Sequence, residues 1–134
     1  MSKENIEVLR TANAAWLRGD LDAVESVYSP DVLWQDLQHA PDAPFEVKGI
    51  EAVKRIWTDW LESFPDLHAE ISEYIDGGDT VICVTHWHGS GRGSGVDIDQ
   101  HTVDSYELRD GLITRTTFGY RSKEEALEAA GLPK

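Results

Sequence analysis

The sequence lacks the residues and runs on which several protein classes depend. It has one cysteine, Cys83, so it cannot form an intrachain disulfide framework. No apolar run approaches the roughly 20 residues that a membrane-spanning helix needs. The first residues, MSKENIEVLR, lack the apolar stretch of a secretory signal. We therefore expect a cytoplasmic protein.

Basic residues are also scarce. Twelve Lys and Arg stand against 25 Asp and Glu, which gives a formal net charge of −13. Nucleic acids and anionic membranes are bound through clustered Lys and Arg, so neither is an expected partner. An anionic substrate would be repelled unless basic side chains lined its site. The favoured partner is a neutral, partly apolar small organic molecule.

What the chain does contain fits one globular domain over residues 1–134. Its length of 134 residues and its hydrophobic fraction of 40% are those of a domain with a single core. No repeat, low-complexity tract or linker divides the sequence.

Helical periodicity and end signals predict four helices. The first covers residues 3–18 and stops at Gly19. The second starts at the N-cap Asp20 and ends at Pro30, with an apolar face of Leu21, Val24, Val27 and Tyr28. The third covers residues 50–64. The fourth begins at a capping box formed by Ser122 and Glu125 and stops near Gly131.

Alternating patterns and turn signals predict five strands, over residues 31–37, 67–76, 80–88, 96–109 and 112–120. Residues 38–49 are predicted to be a loop, and the segment GSGRGSG, residues 89–95, a flexible loop at the pocket rim with a lid role. Helices on one face of an antiparallel sheet make an α+β domain. A strongly twisted sheet with helices on its concave side leaves a cone-shaped hollow.

The order of elements resembles the nuclear transport factor two-like superfamily and, within it, the SnoaL-like domains. The resemblance rests on the stretches NAAWLRGDLDAVESVYSPDVLWQD, KGIEAVKRIWTDWLESFPDLHAEISEYIDGGDTVICV and VDSYELRDGLITRTTFGYRSKEEALEAAGL. It implies a cystatin-like, cone-shaped α+β barrel whose curved, mostly antiparallel sheet wraps around the helices. The superfamily contains isomerases, cyclases, dehydratases, epoxide hydrolases and non-enzymatic binding domains, so fold alone does not decide function.

Asp36 is the first candidate catalytic residue. It follows Trp34 by two along a predicted strand, so both side chains point the same way. If Trp34 faces the hollow, Asp36 lies near the mouth of the hollow. There the indole rings exclude water from the carboxylate, which makes Asp36 a better general base. The alternative is a solvated aspartate that ends a strand and starts a turn.

Asp104 is the second candidate. The alternation of its strand separates a less charged set from a more charged one, and Asp104 belongs to the less charged set, so we expect it to point inward. A buried carboxyl group is protonated, hydrogen-bonded or matched with a base. A protonated Asp104 could donate a hydrogen bond to a developing oxyanion, whereas an Asp104 satisfied by its neighbours would be structural.

The two aspartates resemble the pair of the ketosteroid isomerases. The stretch PDVLWQD resembles the strand that ends in the general base of that family, at Asp36, and VDSYELRDG resembles its oxyanion strand, at Asp104. The oxyanion tyrosine of that family falls at Ala12, and the acid/base aspartate of SnoaL-like cyclases falls at Phe118. Neither template is complete. A substitute hydroxyl could come from Tyr28, Tyr106 or Tyr120.

Aromatic residues from separate elements are expected to line the pocket. The predicted ligand-binding residues are Trp16, Tyr28, Trp34, Trp57, Trp60, Trp87, Gln100, Tyr106, Phe118 and Tyr120. The resemblance implies a small-molecule-binding protein that performs isomerisation, cyclisation or dehydration on a neutral cyclic substrate, without a cofactor. The alternative is a binding or accessory domain with no turnover.

His86 and His88 share one face of their strand, where a third ligand such as His101 could complete a metal site. The family pattern instead puts Trp87 on the pocket side and both histidines on the outer face, so we predict no metal. Many relatives dimerise through that face, and we expect a homodimer to which Ile82 and Val84 contribute apolar contacts.

Overall fold

The computed structural model describes residues 2–38, 45–90 and 97–133. Within these ranges the chain forms an α+β domain of four helices and six strands. In chain order the elements are α1 (Ser2–Leu17), α2 (Leu21–Glu25), β1 (Tyr28–Asp36), β2 (Glu46–Lys48), α3 (Ile50–Ser63), β3 (His68–Asp76), β4 (Thr80–Ser90), β5 (Asp97–Arg109), β6 (Leu112–Tyr120) and α4 (Lys123–Ala129). None of the described helices is both long and apolar enough to span a bilayer.

The strands form one curved sheet that does not close on itself. Their order is β2-β1-β6-β5-β4-β3. Neighbours are antiparallel except β1 and β6, which run parallel. The predicted meander of β3 to β6 is confirmed, and the α+β class with it. The loop predicted for residues 89–95 is replaced by strand at Gly89 and Ser90, and the rest of that segment lies outside the described residues.

The boundary between α2 and β1 was predicted wrongly. The helix ends at Glu25, and Tyr28 already belongs to the strand. Pro30, expected to end the helix, lies inside β1, where the pairing with β6 shifts register between Tyr28 and Leu33. Proline is tolerated at such an interruption because it has no N–H to donate to a ladder.

Strand β2 was also missed, since its residues were predicted to be loop. Three residues are too few to show an alternating pattern. The strand forms because β1 offers a free edge, where Trp34 pairs with Val47, and the backbone N–H of Asp36 donates to the carbonyl of Phe45 at 2.8 Å.

Helices α1 and α3 lie against the inner face of the sheet and enclose the main core. Its fully buried members include Val32, Val53, Val81 and Ile113. Asn13 fixes α1 to β3, because its Nδ2 donates to the carbonyl of Ala69 at 2.6 Å and its Oδ1 accepts from the N–H of Ile71 at 3.3 Å.

Helix α4 covers part of the outer face of the sheet. Ile82 is fully buried there beside Ala126 and Leu127. The expectation that Ile82 supplies contacts to a second subunit was therefore wrong, because the protein's own terminal helix already covers this side chain. Val84 is only half-buried.

Gly119 in β6 and Gly19 after α1 both have a positive φ, but they differ in the space available to a side chain. The φ of Gly119 is +88°, and a Cβ added there would lie 2.9 Å from Cγ of Gln38. Gly19, at φ +74°, has nothing within 4 Å of the same position. We expect Gly19→Ala to lower the free energy of unfolding by about 1–2 kcal/mol, from backbone strain alone. Gly119→Ala should cost about 0.5–1.5 kcal/mol more, because the added Cβ displaces the Gln38 side chain, whose Nε2 donates to the Gly119 carbonyl at 3.1 Å. Urea unfolding of both variants measures this, and equal losses would contradict it.

Candidate functional site

Two adjoining cavities lie between the helices and the inner face of the sheet. The inner one has a volume of about 70 Å³ and the outer one about 250 Å³. Ligand pockets for drug-sized molecules start at about 300 Å³, a volume that the two cavities reach only together.

Three aromatic rings line both cavities and stand between them: Trp60 of α3, Trp87 of β4 and Phe118 of β6. Each ring touches the other two, with centroid separations of 5.5 Å for Trp60–Trp87, 5.7 Å for Trp60–Phe118 and 5.8 Å for Trp87–Phe118. We call these residues the aromatic triad. The triad brings three elements together at the wall that the two cavities share.

The inner cavity is almost wholly apolar. Five of the predicted ligand-binding residues line it besides the triad, namely Trp16, Tyr28, Trp34, Trp57 and Tyr106. Trp57 packs against Trp16 at 6.2 Å and against Tyr28 at 5.2 Å. Burial raises the pKa of Tyr28 and that of Tyr106 well above the ordinary tyrosine value. Both phenols are therefore neutral near pH 7.

The outer cavity carries the polar groups. Asp36, Gln38 and Gln100 line it together with the triad. The Oδ1 atom of Asp36 accepts a hydrogen bond from the N–H of Gln38 at 2.8 Å, which fixes the orientation of the carboxylate at the end of β1. No Lys, Arg or His lies among the described residues that line either cavity. A bound anion would therefore find no counter-charge.

Asp104 is buried behind the cavity wall and lines neither cavity. Its Oδ2 accepts hydrogen bonds from the hydroxyls of Thr85 at 3.1 Å and Thr102 at 2.9 Å, and its Oδ1 accepts from the N–H of Gly119 at 3.0 Å. Burial raises its pKa to about 6, while these three bonds lower it and the negative charge of Asp36 raises it slightly.

The Asp104 network reaches the cavities through two side chains, Thr85, which lines the inner cavity, and Trp87, which lines both. Trp87 Nε1–H donates to Thr102 Oγ1 at 2.8 Å, and the Thr102 hydroxyl donates to Asp104. The indole ring of the triad is thus tied to the buried carboxylate. In this arrangement Asp104 contacts the wall of the pocket and not its interior.

Tyr120 is the one predicted ligand-binding residue placed elsewhere. It packs with Ile82 and Val103 in the outer cluster, and its hydroxyl lies 3.5 Å from that of Ser105. Regular alternation would put Tyr120 on the same face as Phe118, but Gly119 between them adopts a positive φ that breaks the alternation.

Several residues of the outer cavity were missed by sequence reasoning. Gln38 was assigned to a loop, and Phe64, Leu67 and Ile98 were treated as core or strand residues. Phe64 had a usable signal, because it ends the apolar side of the predicted third helix.

The histidines lie on the outer face of the sheet. His86 contacts Oδ1 of Asp99 through Nε2 at 2.6 Å and stacks on His101 with the ring centroids 4.4 Å apart. The ring centroids of His88 and His86 are 5.2 Å apart. Among the described residues, no three His, Cys, Asp or Glu side chains are grouped so that they could hold a metal ion.

Comparison with known proteins identifies the family. The model of the SnoaL-like domain matches residues 9–116. The chain belongs to the SnoaL-like domain family. No protein with a curated description matches the sequence.

Solved structures share the fold over nearly the whole chain. Bal32a, from a soil-derived mobile gene cassette, shares 17% identity over 95% of this chain and 96% of its own, with a TM-score of 0.81. TerC, co-crystallised with polyporic acid, shares 20% identity over 96% and 98%, with a TM-score of 0.76. A Catenulispora acidiphila protein with a ketosteroid isomerase-like fold, in complex with trimethylamine, shares 22% identity over 95% and 94%, with a TM-score of 0.72. At these identities the likeness establishes the fold.

The buried carboxyl of Asp104 makes the stability of this SnoaL-like domain depend on pH. Its pKa rises from 3.8 to about 6 on folding. Between these values the folded protein holds a proton that the unfolded chain has released, so the contribution of Asp104 to stability falls as pH rises. Relative to Asp104→Asn, the wild type should lose about 2 kcal/mol of unfolding free energy between pH 4.5 and 7.5.

Chemical denaturation of both proteins at the two pH values measures this difference. Comparison with the variant cancels the contributions of the other titrating groups to the pH dependence, because the two proteins differ only at residue 104. If the difference in unfolding free energy between the two proteins stays constant with pH, or if the wild type gains stability relative to the variant as pH rises, the raised pKa of Asp104 is contradicted.

Proposed function

We propose that this SnoaL-like protein binds a neutral, largely apolar cyclic molecule and acts on it by cofactor-independent acid–base chemistry, with Asp36 as the general base. The observation that carries the proposal is the position of Asp36, whose side chain lines the outer cavity beside the three aromatic rings. A molecule stacked on the triad would lie next to the carboxylate.

The charge of the site supports a neutral ligand. Asp36 is the only ionisable side chain among the described residues that line the outer cavity, and the protein carries a formal net charge of −13. A carboxylate or phosphate on the ligand would meet repulsion from Asp36 without a compensating cation. A ring with a carbonyl or hydroxyl group avoids that cost.

Two of the structural relatives are consistent with small-molecule binding on this fold. TerC was crystallised with polyporic acid, and the Catenulispora acidiphila protein is in complex with trimethylamine. Both are small organic molecules, which agrees with a pocket of this size.

The proposed chemistry is the removal of a proton from a carbon next to a carbonyl group. Asp36 would take the proton, and the resulting enolate would be reprotonated elsewhere to give an isomer, or would close a ring or expel water. Asp104 does not touch the cavity, so we assign it a positioning role through Thr102 and Trp87. Its sequence-based role as an oxyanion donor would require the Thr85 and Thr102 bonds to open.

The second candidate is a binding domain without turnover. It is favoured by the hydrogen-bonding of Asp104, which leaves one carboxylate at the cavity instead of two. The two proposals share the ligand site and differ only in what Asp36 does there.

Exchange of α-protons for deuterium tests the general base without knowledge of the natural substrate. We expect the wild type to accelerate exchange into cyclohexanone or 1-tetralone in D₂O, and Asp36→Asn to lower the protein-catalysed rate by about 10²-fold or more. Asp31→Asn is the control, because Asp31 lies on the same strand but is exposed. It should exchange as fast as the wild type.

Proton NMR or mass spectrometry of the ketone reads the exchange, and calorimetry of the same ketone with Asp36→Asn shows whether binding persists. Equal exchange by the wild type and Asp36→Asn would refute the role of Asp36. Binding with no exchange above buffer would establish the second candidate.

We also propose that the protein is a homodimer, formed through the part of the outer sheet face that α4 leaves uncovered. That part carries half-buried Val84 and the partly exposed His86 and His88. Light scattering is expected to give twice the chain mass of 15.0 kDa. Val84→Arg should shift the mass towards that of one chain, and a monomeric wild type at high concentration would contradict the proposal.

A further inference from the structure

The outer cavity carries one negative charge that its described wall does not balance. Asp36 is half-buried, and the other described residues that line this cavity have no ionisable side chain. The Oδ1 atom of Asp36 accepts one neutral hydrogen bond, from the N–H of Gln38 at 2.8 Å. A carboxylate in such surroundings attracts a positively charged group that comes close to it.

Aromatic rings form much of the remaining wall of this cavity. The aromatic triad of Trp60, Trp87 and Phe118 lines it together with Phe64. All four side chains are half-buried, so part of each ring remains accessible. The face of an aromatic ring carries partial negative charge and attracts an ammonium group, most strongly when the ring is tryptophan. The rings and the carboxylate therefore favour the same sign of charge.

The polar groups of the outer cavity distinguish a cation from a neutral ring. An ionised carboxylate accepts hydrogen bonds and donates none, so a ketone oxygen gains no hydrogen bond from Asp36. The Nε2 atom of Gln38 already donates to the carbonyl of Gly119 at 3.1 Å. A protonated tertiary amine would donate its N–H to Asp36, and a quaternary ammonium group would be attracted by the charge alone. The charge that disfavours an anion here thus favours a cation.

The volume of the outer cavity is sufficient for a methylated ammonium group. Its 250 Å³ is the space of about eight water molecules at roughly 30 Å³ each in the liquid. The 70 Å³ of the inner cavity corresponds to only about two waters on the same scale. We therefore expect such a group to bind in the outer cavity and to leave the inner one as it is.

We propose that the outer cavity binds organic ammonium ions, with the charged nitrogen beside Asp36 and its methyl groups against the aromatic triad. The ligand class comprises small tertiary and quaternary amines and cyclic compounds that carry a protonated dialkylamino group. The inference goes beyond the proposed function and does not rest on it, because the attraction needs the carboxylate and the rings but no proton transfer. A bound cation would also compete with a ketone for the position next to Asp36.

A pair of matched probes tests the preference for a cation. Choline and 3,3-dimethylbutan-1-ol have the same shape, but the alcohol has a neutral carbon in place of the charged nitrogen. Indole N–H resonances of Trp60 and Trp87 in ¹⁵N–¹H spectra of the wild type follow both titrations. We expect choline to bind about threefold to thirtyfold more tightly, the combined effect of the rings and the carboxylate. Equal or weaker binding of choline, or no binding of it, would overturn the proposal.

Two charge-removing variants show where the preference for choline originates. Asp36→Asn should lower it about twofold to fivefold, because the variant removes the ion pair, while binding of the alcohol should change by less than about twofold. Asp31→Asn is the control, since it removes one charge from an exposed position on the same strand. If Asp31→Asn lowers the preference as much as Asp36→Asn does, the effect comes from the overall charge of −13 and the proposal is wrong.

Competition with ketone exchange separates this inference from the proposed function. Saturating choline should slow the exchange of 1-tetralone α-protons by the wild type. Exchange that choline does not slow would overturn the inference and leave the general base in place. Binding of choline without any ketone exchange would support the inference and count against Asp36 as a general base.

Discussion

The arrangement of the pocket depends on one buried carboxylate. Asp104 accepts hydrogen bonds from β4 through Thr85, from its own strand β5 through Thr102 and from β6 through the N–H of Gly119. Three neighbouring strands are thereby joined at a point where a carboxyl without partners would cost several kcal/mol. Because Thr102 also accepts from Trp87, the same network holds a wall of the cavity in place.

The two aspartates have different tasks, one structural and one proposed to be chemical. The carboxyl group that is most buried is used to hold strands together, and the carboxyl group at the cavity, Asp36, is oriented by a single backbone hydrogen bond at the end of β1. Aromatic rings supply the remaining surface of the site, and they come from helices as well as strands. A site built in this way recognises a ligand by its shape and by a few polar contacts. Such a site suits neutral cyclic molecules and binds anions weakly.

The sequence was sufficient for the fold class and for much of the cavity wall. The 3.6-residue pattern of α3 was strong enough to put Trp57 and Trp60 on one apolar side, and the alternation of β5 was strong enough to point Asp104 inward. The alternation of β1 showed only that Trp34 and Asp36 share a face. The side of β4 that faces inward could not be decided in this way, because both of its alternating sets contain apolar and polar residues. The structure decides it by putting Trp87 in the cavity and Ile82 under α4.

The remaining errors have a common origin in tertiary contacts. Tyr28 fits a helical pattern as well as a strand, and its position was decided by pairing with Ile113 of β6. Strand β2 exists only because β1 has a free edge. The bonding of Asp104 required the register that sets Cys83 opposite it and Thr85 opposite Thr102, and no local pattern in the sequence specifies register.

The central claim is that a neutral ring binds against the aromatic triad with its reactive carbon beside Asp36. A crystal structure of the protein with 1-tetralone bound tests it most directly. The account predicts the ring against Trp60 and Phe118, and a carboxylate oxygen of Asp36 within about 3–3.5 Å of the carbon next to the carbonyl. A ketone bound away from both cavities, or bound with Asp36 turned to solvent, would contradict the account.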